Sequence, residues 1–191
     1  MRKARSLAVL AIFILAVSCA QPPKAEVDAA RAAVSAAQND SDIVTYTSDT
    51  LQQAQDALAR MEQLLKDRKY PEAKAAANQA ASLAASAKEE VAGAKLKAKN
   101  DATDLVASAK KQLAALLPTI ATVKRTKPAG LNLNGLDSDL ATAKAKLADA
   151  DSALAAGRYF DARDGATAVK ASLSDIEKRI SDAIQAARKK K

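Results

Sequence analysis

Apolar residues recur along this chain at alternating spacings of three and four, a heptad pattern typical of amphipathic helices that pack side by side. The first clear run lies between Ser48, a good N-cap residue, and Asp67. A second run begins at Pro71, which suits the first turn of a helix, and continues to about residue 117. We therefore predict a helical hairpin at 48–117. The apolar positions of the first run are Leu51, Ala54, Leu58, Met61 and Leu65.

The second helix of this hairpin is predicted to be continuous over 71–117, because its alanine-rich apolar seam persists along the whole run. The alternative is a break near Asn100 and Asp101. An earlier helix is predicted from Ala25 to Gln38, and residues 120–126 are predicted to add a helical turn or two. Together these helices form a predicted N-terminal helical domain.

Residues 127–136 contain proline, glycine and asparagine, which end helices, and we predict a linker there. The linker separates the N-terminal helical domain, 25–126, from a C-terminal helical hairpin, 137–191, that ends in a basic tail. The second hairpin repeats the first at an offset of 89 residues: Leu51, Leu58, Leu65 and Tyr70 fall on Leu140, Leu147, Leu154 and Tyr159. Short connections make the paired helices antiparallel neighbours. The predicted fold is all-α, an antiparallel bundle of coiled-coil hairpins with an internal duplication.

Residues 1–18 have the layout of a secretory signal peptide. Arg2, Lys3 and Arg5 precede an uninterrupted apolar run from Leu7 to Val17. A helix that crosses a bilayer needs about 20 apolar residues, so this run is too short to be a transmembrane span. We therefore expect the segment to direct export and to be removed.

The end of this run resembles a lipobox, the cleavage and lipidation signal of bacterial lipoproteins. Ala16 and Ser18 are small residues, and Cys19 is the single cysteine of the chain. The resemblance implies diacylglycerol on the Cys19 sulfur, cleavage before Cys19, and residues 19–24 as a tether. Ala20 resembles the outer-membrane sorting class, so we expect a lipid-anchored protein of the bacterial cell envelope, at the outer membrane and facing the periplasm. The alternative is a plain signal peptide with an incidental cysteine.

The formal charge of +8 is concentrated at the two ends of the chain. Three cations lie in the predicted signal peptide and four lie in residues 188–191, so that the body between them is nearly neutral. This distribution argues against a basic nucleic-acid-binding face. Lys124, Arg125 and Lys127 form a smaller basic patch, which solubility explains adequately.

The residue types that most catalytic sites require are missing from the sequence. There is no histidine, which excludes a histidine-based triad, an imidazole base and a histidine metal site. Cys19 is taken up by the predicted lipid, and no glycine-rich phosphate loop occurs. Glu89 and Glu90 stand beside Lys88 and are interpreted as a solvated helix face. We predict that the protein is not an enzyme and has no catalytic residue, metal, cofactor or small-molecule substrate.

The turns of the two predicted hairpins look alike. Tyr70-x-x-Ala73 and Gly157-x-Tyr159-x-x-Ala162 resemble the turn and second helix of tetratricopeptide repeats. The first-helix pattern of those repeats is missing here, and the spacing is 89 residues. We interpret the two tyrosines as packing caps at the ends of the hairpins, with a ligand platform as the alternative.

A second resemblance covers the stretch from Ala25 to Val91. Its layout is similar to that of an uncharacterised family of alanine-rich bacterial lipoproteins with a helical-hairpin domain of unknown function. This resemblance implies a fold and a cellular location, but no activity. We predict a non-enzymatic scaffold, spacer or protein-binding module. Its expected partners are the membrane, through the N-terminal lipid, and other envelope proteins or peptidoglycan.

An alternative function follows from the last residue, Lys191. Small alanine-rich helical lipoproteins of the Braun type, which this chain resembles in its acylated start, helical middle and terminal lysine, are joined to peptidoglycan through that lysine. The resemblance implies a tether between outer membrane and wall. Lys189, Lys190 and Lys191 are therefore candidate wall contacts. The simpler interpretation is that positive side chains suit a helix C-terminus.

Overall fold

The computed structural model describes residues 21–127 and 133–189. Over these ranges the chain forms six α-helices and no strand, which confirms the predicted all-α fold. None of the described helices has both the length and the apolar character needed to cross a membrane. The helices are α1 (Lys24–Asn39), α2 (Ser41–Tyr46), α3 (Ser48–Lys66), α4 (Tyr70–Thr126), α5 (Leu133–Ala155) and α6 (Tyr159–Lys189).

Several predicted features lie outside the described residues. They are the signal peptide 1–18, Cys19, the linker residues 128–132, Lys190 and Lys191. These predictions therefore remain predictions.

The packing contacts divide the chain into two units. Unit 1 holds the described residues up to Glu89, and unit 2 holds those from Glu90 onward. Unit 1 contains α1, α2, α3 and the first part of α4, whereas unit 2 contains the rest of α4 with α5 and α6. The sequence pattern placed the domain limit instead at the linker 127–136. Residues before the linker belong to the same unit as residues after it, because Val106 and Ile120 of α4 share one core cluster with α5 and α6.

Helix α4 has no interruption at Asn100 or Asp101, and it also continues eight residues beyond Pro118. A proline inside a helix removes one backbone hydrogen bond, which is why the sequence pattern predicted an end there. The turn after the proline carries Ile120 and Val123, which are 3% and 1% exposed. Burial of these side chains stabilises the extension and offsets the missing hydrogen bond.

Unit 1 has a core made mostly of alanine. Ion pairs join α1 to both neighbours: Arg31 to Glu62 of α3 at 3.5 Å, and Glu26 to Lys74 of α4 at 2.6 Å. Met61 is the largest fully buried side chain of this unit. Alanine lets helices approach closely but buries little area per residue. The buried apolar residues are Val27, Ala30, Val34, Ala37, Ile43, Leu51, Ala54, Ala57, Met61, Ala73, Ala76, Ala77, Ala80, Ala84 and Ala87.

The short helix α2 follows α1 after a single residue, Asp40. The Asp40 carboxylate accepts hydrogen bonds from the backbone amides of Asp42 at 2.9 Å and of Ile43 at 3.3 Å. This is N-capping, which satisfies amides that have no partner inside the helix. Ile43, at 2% exposed, then anchors the segment in unit 1.

Unit 2 has larger aliphatic side chains in its core. Leu173, Ile176 and Ile180 of α6 are at most 2% exposed and pack in one cluster with residues of α4 and α5. Helix α5 begins at Leu133, inside the predicted linker. The reason is that Leu136, which is completely buried, extends the apolar seam of α5 by one position before Leu140.

The two interhelical turns are the same structure at an offset of 89 residues. Arg68 has φ +60° and Gly157 has φ +75°, so each turn places one residue in the left-handed region. The bonds form a Schellman motif, which closes the C-terminus of α3 and of α5. In the first turn the amide-to-carbonyl hydrogen bonds are Asp67 to Gln63, Arg68 to Leu65, Lys69 to Leu64 and Ala73 to Lys69. In the second turn they are Ala156 to Ser152, Gly157 to Leu154, Arg158 to Ala153 and Ala162 to Arg158.

Candidate functional site

Of the four residues predicted from sequence as sites, only Lys189 lies within the described residues. Its side chain is exposed in the last turn of α6. Cys19, Lys190 and Lys191 lie outside them. Of the predicted wall contact, the structure therefore describes Lys189 and its surroundings.

Helices α4 and α6 run parallel in unit 2, because each is the antiparallel neighbour of α5. The amide of Gln112 donates a hydrogen bond to the hydroxyl of Ser174 at 3.1 Å, which places these two residues at the same level. Both helices rise about 1.5 Å per residue, so Thr126 and Arg188, each 14 residues further on, are also level. The C-terminus of α4 and that of α6 thus lie at one end of unit 2.

This parallel arrangement brings two basic segments together. Arg125 lies in the last turn of α4 and Lys127 directly follows that helix, whereas Arg188 and Lys189 lie in the last turn of α6. We call these four residues the basic end. All four are exposed. No ion pair or hydrogen bond within the described chain holds any of their side chains. The sequence pattern treated the two segments as separate patches and assigned the first to solubility.

A groove between α4 and α6 leads to the basic end. Its volume is about 420 Å³, and we call it the α4–α6 groove. Its floor is apolar, and polar side chains from both helices line it, with Arg188 at one end. The lining residues are Ala115, Leu116, Thr119, Glu177, Ile180, Ser181, Ile184, Gln185 and Arg188.

Other charged side chains of unit 2 are used between helices. Lys110 pairs with Asp151 at 2.7 Å, which joins α4 to α5. Lys124 pairs with Asp137 across the same pair of helices. These pairs are half exposed, and such surface pairs contribute little to stability. They do neutralise the carboxylates of Asp151 and Asp137, so these carboxylates do not neutralise the cations of the basic end.

A second surface pocket of unit 2 lies between α5 and α6 and has a volume of about 440 Å³. Asp139 and Asp175 line it together with Arg179. Arg179 donates a hydrogen bond to Asp139, which raises the pKa of the guanidinium, and it also pairs with Asp175 at 3.6 Å. The two carboxylates are therefore already compensated. No group of three or more potential metal ligands occurs among the described residues.

The two tyrosines are half-buried at corresponding positions. Tyr159 packs against a small cluster formed by Ala102, Ala153 and Ala162, one from each helix of unit 2. This contact favours the packing interpretation of Tyr159. Tyr70 begins α4, as Tyr159 begins α6.

Comparison with known proteins identifies one domain. Residues 25–105 match the family described as Domain of unknown function (DUF4398). The match covers less than half of the chain and includes α1, α2, α3 and the first part of α4. It agrees with the resemblance to a helical-hairpin domain of unknown function seen from Ala25 to Val91. No curated protein and no solved structure matches the chain.

Proposed function

We propose that this protein is a non-enzymatic, lipid-anchored module of the bacterial cell envelope that works by binding a partner at unit 2. The observation that carries the proposal is the basic end, where four exposed cations have no partner among the described residues and one of them, Arg188, also lines the α4–α6 groove. Groups that are left without partners inside a folded chain are available to another molecule.

The distribution of polar groups supports a contact function. Thr47 is the one polar residue that is buried among the described residues, and its hydroxyl lies within hydrogen-bond distance of backbone carbonyls. Every other polar side chain whose burial the structure describes lies at least partly at the surface. Such a surface suits a scaffold or spacer, whereas catalysis relies on preorganised polar groups in a site that excludes water.

The proposed anchor is Cys19, acylated after cleavage of residues 1–18. Support comes from the sequence: the positive start, the apolar run that is too short to span a bilayer, and the small residues before a single cysteine. Several acyl chains on one residue give durable membrane attachment, because each buried CH₂ contributes about 0.8 kcal/mol. Ala20 supports the outer membrane as the destination.

Mass spectrometry of the membrane fraction tests the anchor. The N-terminal peptide of the mature chain should begin at Cys19 and carry lipid. The Cys19→Ala chain should leave the membrane fraction, whereas Ser18→Ala, a matched change one residue earlier, should leave lipidation intact. A mature chain that begins elsewhere, or a lipid-free Cys19, contradicts the proposal.

A second candidate function is a covalent tether to peptidoglycan through Lys191. It is favoured by Lys189, which is exposed in the last turn of α6 and is followed in the sequence by Lys190 and Lys191. Digestion of purified sacculi followed by mass analysis should release a muropeptide adduct of the chain. Lys191→Ala should abolish the adduct and Lys190→Ala should preserve it. If salt removes all of the chain from sacculi, there is no covalent tether.

A further inference from the structure

We propose that the α4–α6 groove and the basic end together bind an extended acidic peptide segment of a partner protein. This inference rests on the proposed function and names the class of partner that the module would bind. It comes from the parallel arrangement of α4 and α6, which the sequence pattern did not indicate.

Helix dipoles alone do not require so many cations at this position. A helix C-terminus carries roughly half a negative charge, so the ends of α4 and α6 together carry about one. Four cations lie there: Arg125, Lys127, Arg188 and Lys189. The surplus positive charge attracts an anionic partner and speeds its association.

The groove, which Arg188 lines at one end, is suited to a narrow polymer chain. Thr119, Ser181 and Gln185 line it, and none of their side chains has a hydrogen-bond partner within the described chain. An extended peptide exposes backbone donors and acceptors that these groups can satisfy. A planar lipid surface cannot enter a groove between two helices, which favours a peptide over a membrane. The volume of about 420 Å³ lies in the usual range of ligand sites.

The charges of the groove also set the direction of the bound segment. Glu177 and Arg188 both line it and lie on α6, about 16 Å apart along the helix axis. An acidic side chain is attracted to Arg188 and repelled by Glu177. The acidic part of the segment is therefore expected over the basic end, with its remaining residues over Leu116 and Ile180.

Fluorescence anisotropy with a fluorescein-labelled octaglutamate peptide tests the electrostatic part. The detergent-solubilised full chain should bind the peptide at low salt and release it progressively as salt rises. Arg125→Gln/Arg188→Gln should weaken the association by about tenfold or more, since charge-assisted hydrogen bonds are lost. Lys144→Gln/Lys146→Gln removes the same charge from α5 and should change the association by less than about threefold.

The groove itself is tested by filling it. Ser181→Phe should weaken peptide binding, whereas Ala141→Phe, at an exposed position of α5, should not. Circular dichroism checks that each variant is folded. If the double variant is unfolded, Arg188→Gln alone replaces it and should still weaken the association. Arg188→Lys, which keeps the charge, should retain most of the binding.

Several results would overturn the inference. An equal loss in the α5 control would mean that the peptide responds to net charge alone. Binding to phosphatidylglycerol vesicles without binding to octaglutamate would identify a lipid surface instead. A salt-sensitive dimer in sedimentation without peptide binding would identify a second copy as the occupant. If the wild-type chain binds the peptide at this site but Cys19 carries no lipid, the proposed anchor is wrong and this inference stands. If Cys19 carries lipid but the chain does not bind the peptide, this inference is wrong and the anchor stands.

Discussion

The hydroxyl of Thr47 lies 3.0 Å from the carbonyl oxygen of Ala87, which is 40 residues further along the chain. This contact fixes the start of α3 against α4 in unit 1. The same hydroxyl is 3.1 Å from the carbonyl oxygen of Ile43, and its single hydrogen can be donated to either oxygen. The corresponding positions 89 residues later are Leu136 and Ile176, both buried in the core of unit 2. One unit thus places a polar contact where the other buries two aliphatic side chains.

Replacement of Thr47 by valine should destabilise unit 1 by about 1 kcal/mol, because a buried hydrogen bond is lost while the shape is kept. Thr45→Val is the matched control at an exposed position of α2. Hydrogen exchange of the α3 amides reports the free energy of unfolding of this unit. Equal effects of the two substitutions would show that the hydroxyl of Thr47 has no special role.

The two equivalent turns should respond in opposite directions to exchange of glycine. Gly157→Ala should destabilise the turn by about 1 kcal/mol, because φ +75° suits glycine and strains other residues. Arg68→Gly should stabilise the chain by about 0.5–1 kcal/mol, since Arg68 is at φ +60°. Lys69→Gly, one residue outside the left-handed position, is the control and should destabilise. Thermal denaturation of the three variants measures this, and stabilisation by Lys69→Gly would contradict the argument.

Gly165 of α6 lies directly against Ala150 of α5. A Cβ added there would lie 3.2 Å from the Cβ of Ala150, which is tighter than ordinary contact. Overpacking of about 1–3 kcal/mol should outweigh the roughly 1 kcal/mol by which a helix favours alanine over glycine, so Gly165→Ala should destabilise unit 2. Ala150→Gly should recover part of this loss when it is added, so that the double variant costs less than the two single changes combined. Strictly additive free energies of unfolding would show that the two helices do not press on each other here.

The stability of unit 1 should depend on pH through Glu26. Its hydrogen bond from Lys74 lowers the pKa of the carboxyl below the ordinary 4.5. A group whose pKa is lowered on folding contributes stability above its unfolded-state pKa and loses it as pH falls through the folded-state pKa. Wild type should therefore exceed Glu26→Gln in melting temperature at pH 7, and the difference should vanish well below pH 4.5. A difference that persists in acid would point to packing by the Glu26 side chain.

Part of the basic end could be anticipated from the sequence. The cations of residues 188–191 stand out as a charge run, and Lys189 is exposed at the end of α6. Arg125 and Lys127 gave no comparable signal, because a short basic patch after a helix is common on soluble surfaces. Their role depends on which helix lies beside α4 and in which direction it runs. Neither can be obtained from the local pattern of charges.

The sequence by itself determined the helices other than α2, the turns of the two hairpins and the internal duplication. Leu51, Leu58 and Leu65 recur as Leu140, Leu147 and Leu154, and helical periodicity is a local property that the spacing of apolar residues expresses directly. Only the tertiary structure decided how α4 is used. Its alanine seam is nearly uniform, so it does not specify a partner, and the choice is made by whichever side chains complete a buried core. Leu173, Ile176 and Ile180 of α6 supply that core for the second part of α4, and the same packing carries the helix past Pro118 and brings the C-terminal end of α4 level with that of α6.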